Sequence, residues 1–387
     1  MRVLVVNAGS SSLKLSVVGP DDAVVAEGKT LESIVAGAGT IDAVGHRIVH
    51  GGPRYSAPTP IEARLLRYLR TITDLAPLHL PASLRAIEAT RGLLPRVPQV
   101  ACFDTAFHAG LPPAASTYAI PPGLSRRYGL RRYGFHGFSH AYAARRAAEM
   151  LGRPVAGLRV VTCHLGSGAS LAAVKGGRSV DTTMGFTPLE GLVMATRSGT
   201  IDPGLVLWLQ RHARMTPARM TELLDRGSGL KGLAASGDMR HVLRSARQGD
   251  AQAKLAFDVY VHRLRALIAS MAAALGGVDA VVFTGGVGEN SREVRGATVD
   301  GLGFLGLRLD RGKNSRVGKR DVDVTAGGAA ASTLVVHARE DVEVAREVRR
   351  ALAARVRRPP ALRAAGRGGS RASTRRGRAG SPDPSRP

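Results

Sequence analysis

The feature that most limits what this chain can fold into is a hairpin written twice. Residues 2–6, RVLVV, are apolar after Arg2 and largely β-branched, the pattern of a buried strand. Residues 13–18, LKLSVV, alternate Lys14 and Ser16 with apolar neighbours, the period-two pattern of a half-buried strand. Between them lies the small polar run Asn7 to Ser12, NAGSSS. About 157 positions later, HLGSGASLAAVKGG (164–177) again reads strand, Gly-Ser turn, strand. Small turn residues let backbone N–H groups approach a phosphate closely, and a row of such groups makes an anion nest. A plain hairpin turn is the other reading of each. Two such devices imply two related halves with a cleft between them.

The remaining elements fit an α/β chain. RLLRYLR (64–70) is helical in pattern, and QVACF (99–103) is a short strand that ends at Asp104. The position just after a strand is where parallel sheets place catalytic side chains, although an Asp there also serves as a cap. Ser139 opens a helix through HAYAARRAAEML that Gly152 ends. Residues 252–276 predict a long helix with Leu264, Ile268, Met271 and Leu275 on one face. A strand over 278–286, a turn over 286–291 and a last helix over 341–356 follow.

The chain carries 55 Lys and Arg against 30 Asp and Glu, a formal net charge of +25. Residues 349–387 hold twelve arginines and the single acid Asp383, which accounts for +11 and leaves +14 for the rest. Only seven lysines are present. An arginine preference of this kind reads as a GC-rich coding sequence or as a polyanion-binding surface. Beyond Pro359-Pro360 the low hydrophobicity and high charge predict disorder, and the absence of aromatics there argues against a base-stacking nucleic-acid function. No apolar run reaches the roughly 18–20 residues of a membrane span. Cys102 and Cys163 are the only cysteines, which excludes a disulfide scaffold and fits the cytoplasm.

Several loops carry chemistry. GHRIVHGG (45–52) sets Arg47 among glycines, where a guanidinium can hold an anion in a fork. APLHLP (76–81) and FDTAFH (103–108) each put one polar side chain, His79 or Asp104, in an apolar frame. YGFHGFSH (133–140) sets His136 before a helix, as a structural residue or as a donor aimed at developing negative charge. DTTMGFTPLEGLVMATRSGTIDPG (181–204) carries Arg197, and FTGGVGEN (283–290) is a third glycine turn after a strand. Together these point to phosphoryl transfer.

NAGSSSLK, HRIVHGG, APLHLP, FDTAFH, YGFHGFSH, HLGSGAS, DTTMGFTPLEG, TRSGTIDPG, SGDMR and FTGGVGENS stand in the order found in acetate kinases, and the chain resembles that family over residues 2–347. The resemblance implies a two-domain actin-like (ribonuclease H-like) fold, with a ββαβα-type core in each half and an active-site cleft between them. Residues 1–152 would form the N-terminal domain, 153–356 the nucleotide-binding domain with its last helix packing back on the first, and 357–387 a disordered tail. It implies reversible transfer of the ATP γ-phosphoryl group to acetate with Mg²⁺, Mn²⁺ being a substitute, in a cytoplasmic homodimer with no specific nucleic-acid or membrane partner. Propionate or butyrate kinases share the chemistry, and a non-enzymatic actin-like ATP-binding protein is the remaining alternative.

By the same resemblance, Asp104 is the catalytic aspartate, for which orientation suits better than base catalysis because a carboxylate nucleophile is already ionised. Arg47 binds the substrate carboxylate or the moving phosphoryl group, and His136 and Arg197 stabilise the transition state. Asn7 and Glu340 hold the metal. Val49, Leu78, Phe135 and Pro188 form the acyl pocket. Lys14, His164, Leu165, Gly166, Ser167, Gly168, Asp238, Met239, Arg240, Gly286, Val287, Gly288, Glu289 and Asn290 contact the nucleotide. The chain departs from the family pattern at Ser167, Thr200 and Leu80, at His337-Ala338-Arg339 before Glu340, and in a shortened stretch ahead of Arg47.

Overall fold

The computed structural model describes residues 1–9, 13–77 and 79–356, so Ser10–Ser12, Leu78 and the arginine-rich tail lie outside the described residues. Among these, twelve strands form two six-stranded sheets. The first contains β1 (Val3–Ala8), β2 (Leu13–Val18), β3 (Val24–Gly28), β4 (Ala43–Ile48), β5 (Thr59–Pro60) and β6 (Gln99–Phe103) in the order β3-β2-β1-β4-β6-β5. The second contains β7 (Arg159–Leu165), β8 (Ala169–Lys175), β9 (Arg178–Thr182), β10 (Ala280–Thr284), β11 (Val322–Asp323) and β12 (Ser332–Val335) in the order β9-β8-β7-β10-β12-β11. One sheet repeats the other strand for strand. In each, an antiparallel meander of three strands continues into two parallel strands, with a short antiparallel strand at the far edge. Two related halves are what the paired hairpins imply, and the repeated topology accords with the actin-like fold that the family resemblance implies.

The central strands need both faces covered, and their sequences supply the side chains for it. Val3, Leu4, Val5 and Val6 are all buried, as are Val160, Val161 and Cys163 on β7. The helix Gly137–Met150 follows the first sheet in sequence but lays its alanine face, Ala143, Ala144, Ala147 and Ala148, on Val160, Val174, Val282 and Leu334 of the second. The helix Glu340–Val356 does the reverse and packs Val344, Ala345 and Val348 against β1, β4 and β6 of the first. The two helices also touch each other. A Cβ on Gly45 would lie 2.7 Å from Val348 and 2.8 Å from Val344, so only glycine lets the last helix sit this low on β4.

Two local expectations differ. The helix over 137–150 starts at Gly137, not after Ser139: His136 takes the N-cap position in a left-handed conformation (φ 56°), and the Ser139 hydroxyl contacts His164 instead. Residues 285–290 form a short helix, not a turn, because Gly285 absorbs the reversal at φ 78° and the strand before it stops at Thr284. The long helix runs from Ala251 to Leu275 with Leu264, Ile268, Met271 and Leu275 buried, as its periodicity predicts.

Candidate active site

A cleft of about 980 Å³ opens between the sheets. One wall carries Asn7, Lys14 and Arg47; the other carries His164, Gly166, Ser167, Gly168, Gly286 and Glu289. His136, His79 and Glu340 line it as well.

The first wall is built by strand register. Asn7 on β1 sits opposite Lys14 on β2 and opposite Arg47 on β4, and Arg47 sits opposite Cys102 on β6, two residues before Asp104. Arg47 therefore donates through Nη1 to Asn7 Oδ1 at 3.2 Å and through Nη2 to Asp104 Oδ2 at 2.8 Å. Its Nε lies 3.4 Å from Glu340 Oε2 at the start of the last helix. Asp104 Oδ2 also accepts the His136 backbone N–H at 3.0 Å, and the Asp104 carbonyl accepts the Gly137 N–H at 3.0 Å. A Cβ on Gly137 would come within 2.2 Å of that carbonyl, so glycine is required where the helix meets Asp104. Asp104 Oδ1 is buried and has no hydrogen-bond partner among the described residues.

The electrostatics follow from burial. Burial and the neighbouring Glu340 raise the Asp104 carboxyl against the pull of Arg47. Burial also pushes Glu340 up, but Arg47, His164 and Lys14 outweigh it and its pKa is lowered. For Arg47 burial opposes the charge, and the two carboxylates more than restore it. Burial lowers His136 strongly, with His164, His140, Arg47 and Arg197 adding to the effect, so its imidazole is neutral. Burial lowers His164 and Arg197 too.

Arg197 arrives from the loop after β9. Its Nη1 donates to the Pro188 carbonyl at 3.3 Å and contacts Met194 Sδ at 3.7 Å. A methyl group on Gly168 would sit 3.4 Å from both Arg197 Nη1 and His136 Nε2, so the two side chains converge over one bare glycine. Thr200, at the position where the family pattern has an acid, bonds the Gly191 N–H at 3.0 Å and fastens this loop without charge. The carboxylate that supports Arg197 is Asp225.

On the second wall, Glu289 Oε1 accepts the Gly285 N–H at 2.8 Å and the Ala338 N–H at 2.9 Å, tying the glycine turn to the approach to Glu340. Asn290 Nδ2 donates to the Gly286 carbonyl at 2.9 Å. Leu165 and Gly288 are buried behind the wall, and Val287 packs against the core. Val49 and Phe135 are buried in the first core rather than lining the cleft, and Pro188 reaches the site through the carbonyl held by Arg197. Asp238 and Arg240 stand apart: they pair with each other at 2.6 Å on an exposed helix start, where Arg240 lowers Asp238 to about 2, and Met239 beside them is buried. Leu80 is fully buried in the helix Leu80–Leu93.

His79 is a cleft residue that the sequence marked only as a polar side chain in an apolar frame. Burial, Arg197 and Arg47 together lower its pKa, so it shares their field. Ser16 and Glu27 also line the cleft. They face each other across β2 and β3; the alternation of Lys14 and Ser16 is a sequence signal for Ser16, whereas nothing local marks Glu27. Among the described residues no group of three or more His, Cys, Asp or Glu could hold a metal ion alone.

Residues 22–346 match the Acetokinase family. The chain is 50% identical to the acetate kinase of Microcystis aeruginosa over 315 residues, covering 81% of this chain and 78% of that one. It is 51% identical to the acetate kinase of Leifsonia xyli over 314 residues, covering 81% and 79%. Among solved structures, Porphyromonas gingivalis acetate kinase superposes with a TM-score of 0.83 at 34% identity, covering 89% of this chain and 98% of that one. A propionate kinase from Francisella tularensis superposes with a TM-score of 0.82, also at 34% identity and the same coverage.

Proposed function

Because the chain belongs to the acetokinase family, we propose that it transfers the ATP γ-phosphoryl group reversibly to acetate, giving acetyl phosphate and ADP. The observation that carries this reading is the placement of Arg47 and His136 in one cleft walled by two phosphate-type hairpins, with Arg197 converging on His136 over Gly168. A non-enzymatic nucleotide binder has no use for three such donors.

The chemistry is a collision of anions. An acetate oxygen attacks the γ-phosphorus, the new O–P bond forms, and the bond to the bridging oxygen breaks with its electron pair leaving on ADP. No proton moves, since an ordinary carboxyl is ionised near neutrality. Arg47, His136 and Arg197 offset the repulsion and hold the equatorial oxygens, which is where charge develops. Asp104 acts by position: its Oδ2 fixes both the Arg47 guanidinium and the His136 backbone. Asn7, Glu340 and Asp104 Oδ1, which has no partner among the described residues, suit Mg²⁺, which takes few protein ligands beside substrate phosphates. When bound, the ion supplies neutralisation of β- and γ-phosphate charge.

The nucleotide lies along Lys14, His164 to Gly168 and Gly286 to Asn290, with Asp238 to Arg240 at its outer end. Pro188 would border the acyl side, with Val49 and Phe135 packed behind it in the core rather than on the cleft surface. A homodimer accords with the helix Pro203–His212, whose Leu205, Leu207 and Trp208 are exposed. Both free cysteines are buried, which accords with a proposed cytoplasmic location. Among the described residues no helix is long and apolar enough to cross a membrane.

Hydroxylamine trapping tests the reading. With acetate and Mg-ATP the enzyme yields acetohydroxamate; bound nucleotide without product overturns it. Competing acetate, propionate and butyrate by kcat/KM fixes the acceptor, because a methylene in an apolar pocket is worth about 1–3 kcal/mol.

A further inference from the structure

Behind His136 runs a chain of hydrogen bonds that the reaction as described does not use. His136 and His140 lie one turn apart at the start of the 137–150 helix, against two rungs of the β7–β8 hairpin. His136 Nδ1 is 2.9 Å from Ser170 Oγ, and the same hydroxyl is 2.8 Å from His140 Nε2. His140 Nδ1 is in turn 2.8 Å from Thr162 Oγ1. Thr162, Ser170 and His140 are all fully buried.

A hydroxyl has one proton, so Ser170 donates to one imidazole and accepts from the other. The chain can therefore run in one of two directions, and its far end decides which. Thr162 can donate to His140 Nδ1 at 2.8 Å or to the Ala172 carbonyl at 3.4 Å. Either direction uses the same three links at 2.8 to 2.9 Å; the two differ in where the Thr162 proton goes, into the short link to His140 or onto the Ala172 carbonyl in a long, weak bond.

A neighbouring pair shows how this protein resolves the same choice. His108 Nε2 faces the Phe135 carbonyl at 3.0 Å, and a carbonyl only accepts, so His108 carries its proton there. Its Nδ1 is then bare and must take the Ser179 hydroxyl at 2.7 Å, although Ser179 also has the Asp181 carbonyl at 3.4 Å.

We infer that Thr162, His140 and Ser170 form a one-way relay that fixes His136 as the tautomer bearing its proton on Nε2. Thr162 donates to His140 Nδ1, His140 Nε2–H donates to Ser170, and Ser170 donates to His136 Nδ1. The His136 Nε2–H then faces the point over Gly168 that Arg197 Nη1 also approaches, so two donors meet where an anion belongs. Burial keeps the His140 ring neutral, which a single-file relay requires. Thr162, His140 and Ser170 are thus positioning residues for His136. The consequence for turnover rests on the phosphoryl-transfer reading above; the tautomer itself does not.

Two measurements on the full-length protein separate the two. Long-range ¹H–¹⁵N correlation spectra of histidine-labelled enzyme, with His136 assigned by its Gln variant, report the tautomer without any turnover. The Nε2–H form is expected, and the Nδ1–H form overturns the relay whatever the activity. Thr162→Val removes the first donor while keeping the side-chain shape, and Thr162→Ser keeps the hydroxyl. Thr162→Val should shift His136 toward the other tautomer and lower kcat about tenfold with KM for acetate unchanged, while Thr162→Ser stays near wild type. Wild-type kcat and tautomer in Thr162→Val overturn the inference. If that variant does not fold, the wild-type spectrum decides alone. An Nε2–H His136 in a protein that makes no acetyl phosphate leaves the relay standing and removes the proposed activity.

Discussion

In the first sheet the inner parallel strands deliver charge: β4 carries Arg47 and β6 runs into Asp104. In the second sheet the strands at the same places, β10 and β12, deliver backbone: β10 runs into Gly285 and Gly286, and β12 leads to Ala338, whose N–H bonds Glu289. The hairpins differ in the same sense. β1–β2 presents Asn7, Lys14 and Ser16, whereas β7–β8 presents His164 and a turn of Gly166, Ser167 and Gly168. One scaffold has been used twice, once to present guanidinium and carboxylate and once to present bare backbone; on the proposed function the first holds the reacting anion and the second the phosphates. The helices that follow each sheet cross to the other, so neither wall stands without its partner.

This division of labour can be broken by substitution. Arg47→Ala should have the largest effect. It leaves Asp104 buried without its cation, a loss of about 3–5 kcal/mol in stability by denaturant titration, and it should lower kcat by roughly a thousandfold. A stable variant that loses only ATP affinity would move Arg47 to the nucleotide side. Arg197→Ala should lower turnover by about two decades or more, because one donor to the transition state is removed, with little loss of fold. Near-normal turnover in an intact variant removes Arg197 from the mechanism.

Acid should unfold the protein through its buried histidines. Burial lowers His46, His50 and His108 to about 4 in the folded state, against 6.5 in the open chain. Their contribution is complete above pH 6.5 and is lost as the pH falls from there toward 4, because only the unfolded chain then takes up protons. Stability should rise with pH across that window; these three rings add close to three protons to the uptake on unfolding, beside that of His79, His136, His140 and His164, which burial also lowers, and His108→Asn should reduce the uptake by about one. A flat profile would show that these rings are protonated in the fold.

Smaller effects sharpen the second wall. Arg240→Ala should raise KM for ATP about two- to threefold and leave that for acetate alone, since an exposed charge is worth little. No change would place Asp238 to Arg240 off the nucleotide path. Deleting residues 357–387 should leave kcat unaltered, and a large loss would give the tail a part in catalysis.

Much of this was legible because local pattern and tertiary demand agree. Val3 to Val6 and Val160 to Cys163 are β-formers that the parallel sheets bury, and Asp104 stands where β6 stops. Other features depended on partners far away in sequence. Ser139 is a good cap by residue type, yet its hydroxyl is drawn to His164, and His136 caps the helix instead because Asp104 takes its N–H. Gly285-Gly286 reads as a turn, but Glu289 folds back to the Gly285 N–H and closes a short helix. The crossing of the 137–150 and 340–356 helices rests on alanine and valine faces that fit either sheet equally well by composition; the glycine at 45 is the trace it leaves in the sequence.

The central claim is that phosphoryl passes straight from nucleotide to acetate across the cleft. Its most direct test is the configuration at phosphorus when ATP chiral in its γ-phosphoryl oxygens is turned over with acetate. A single in-line displacement inverts that configuration, which is the predicted result. Retention would mean that a group on the protein carries the phosphoryl in between, and would contradict the account.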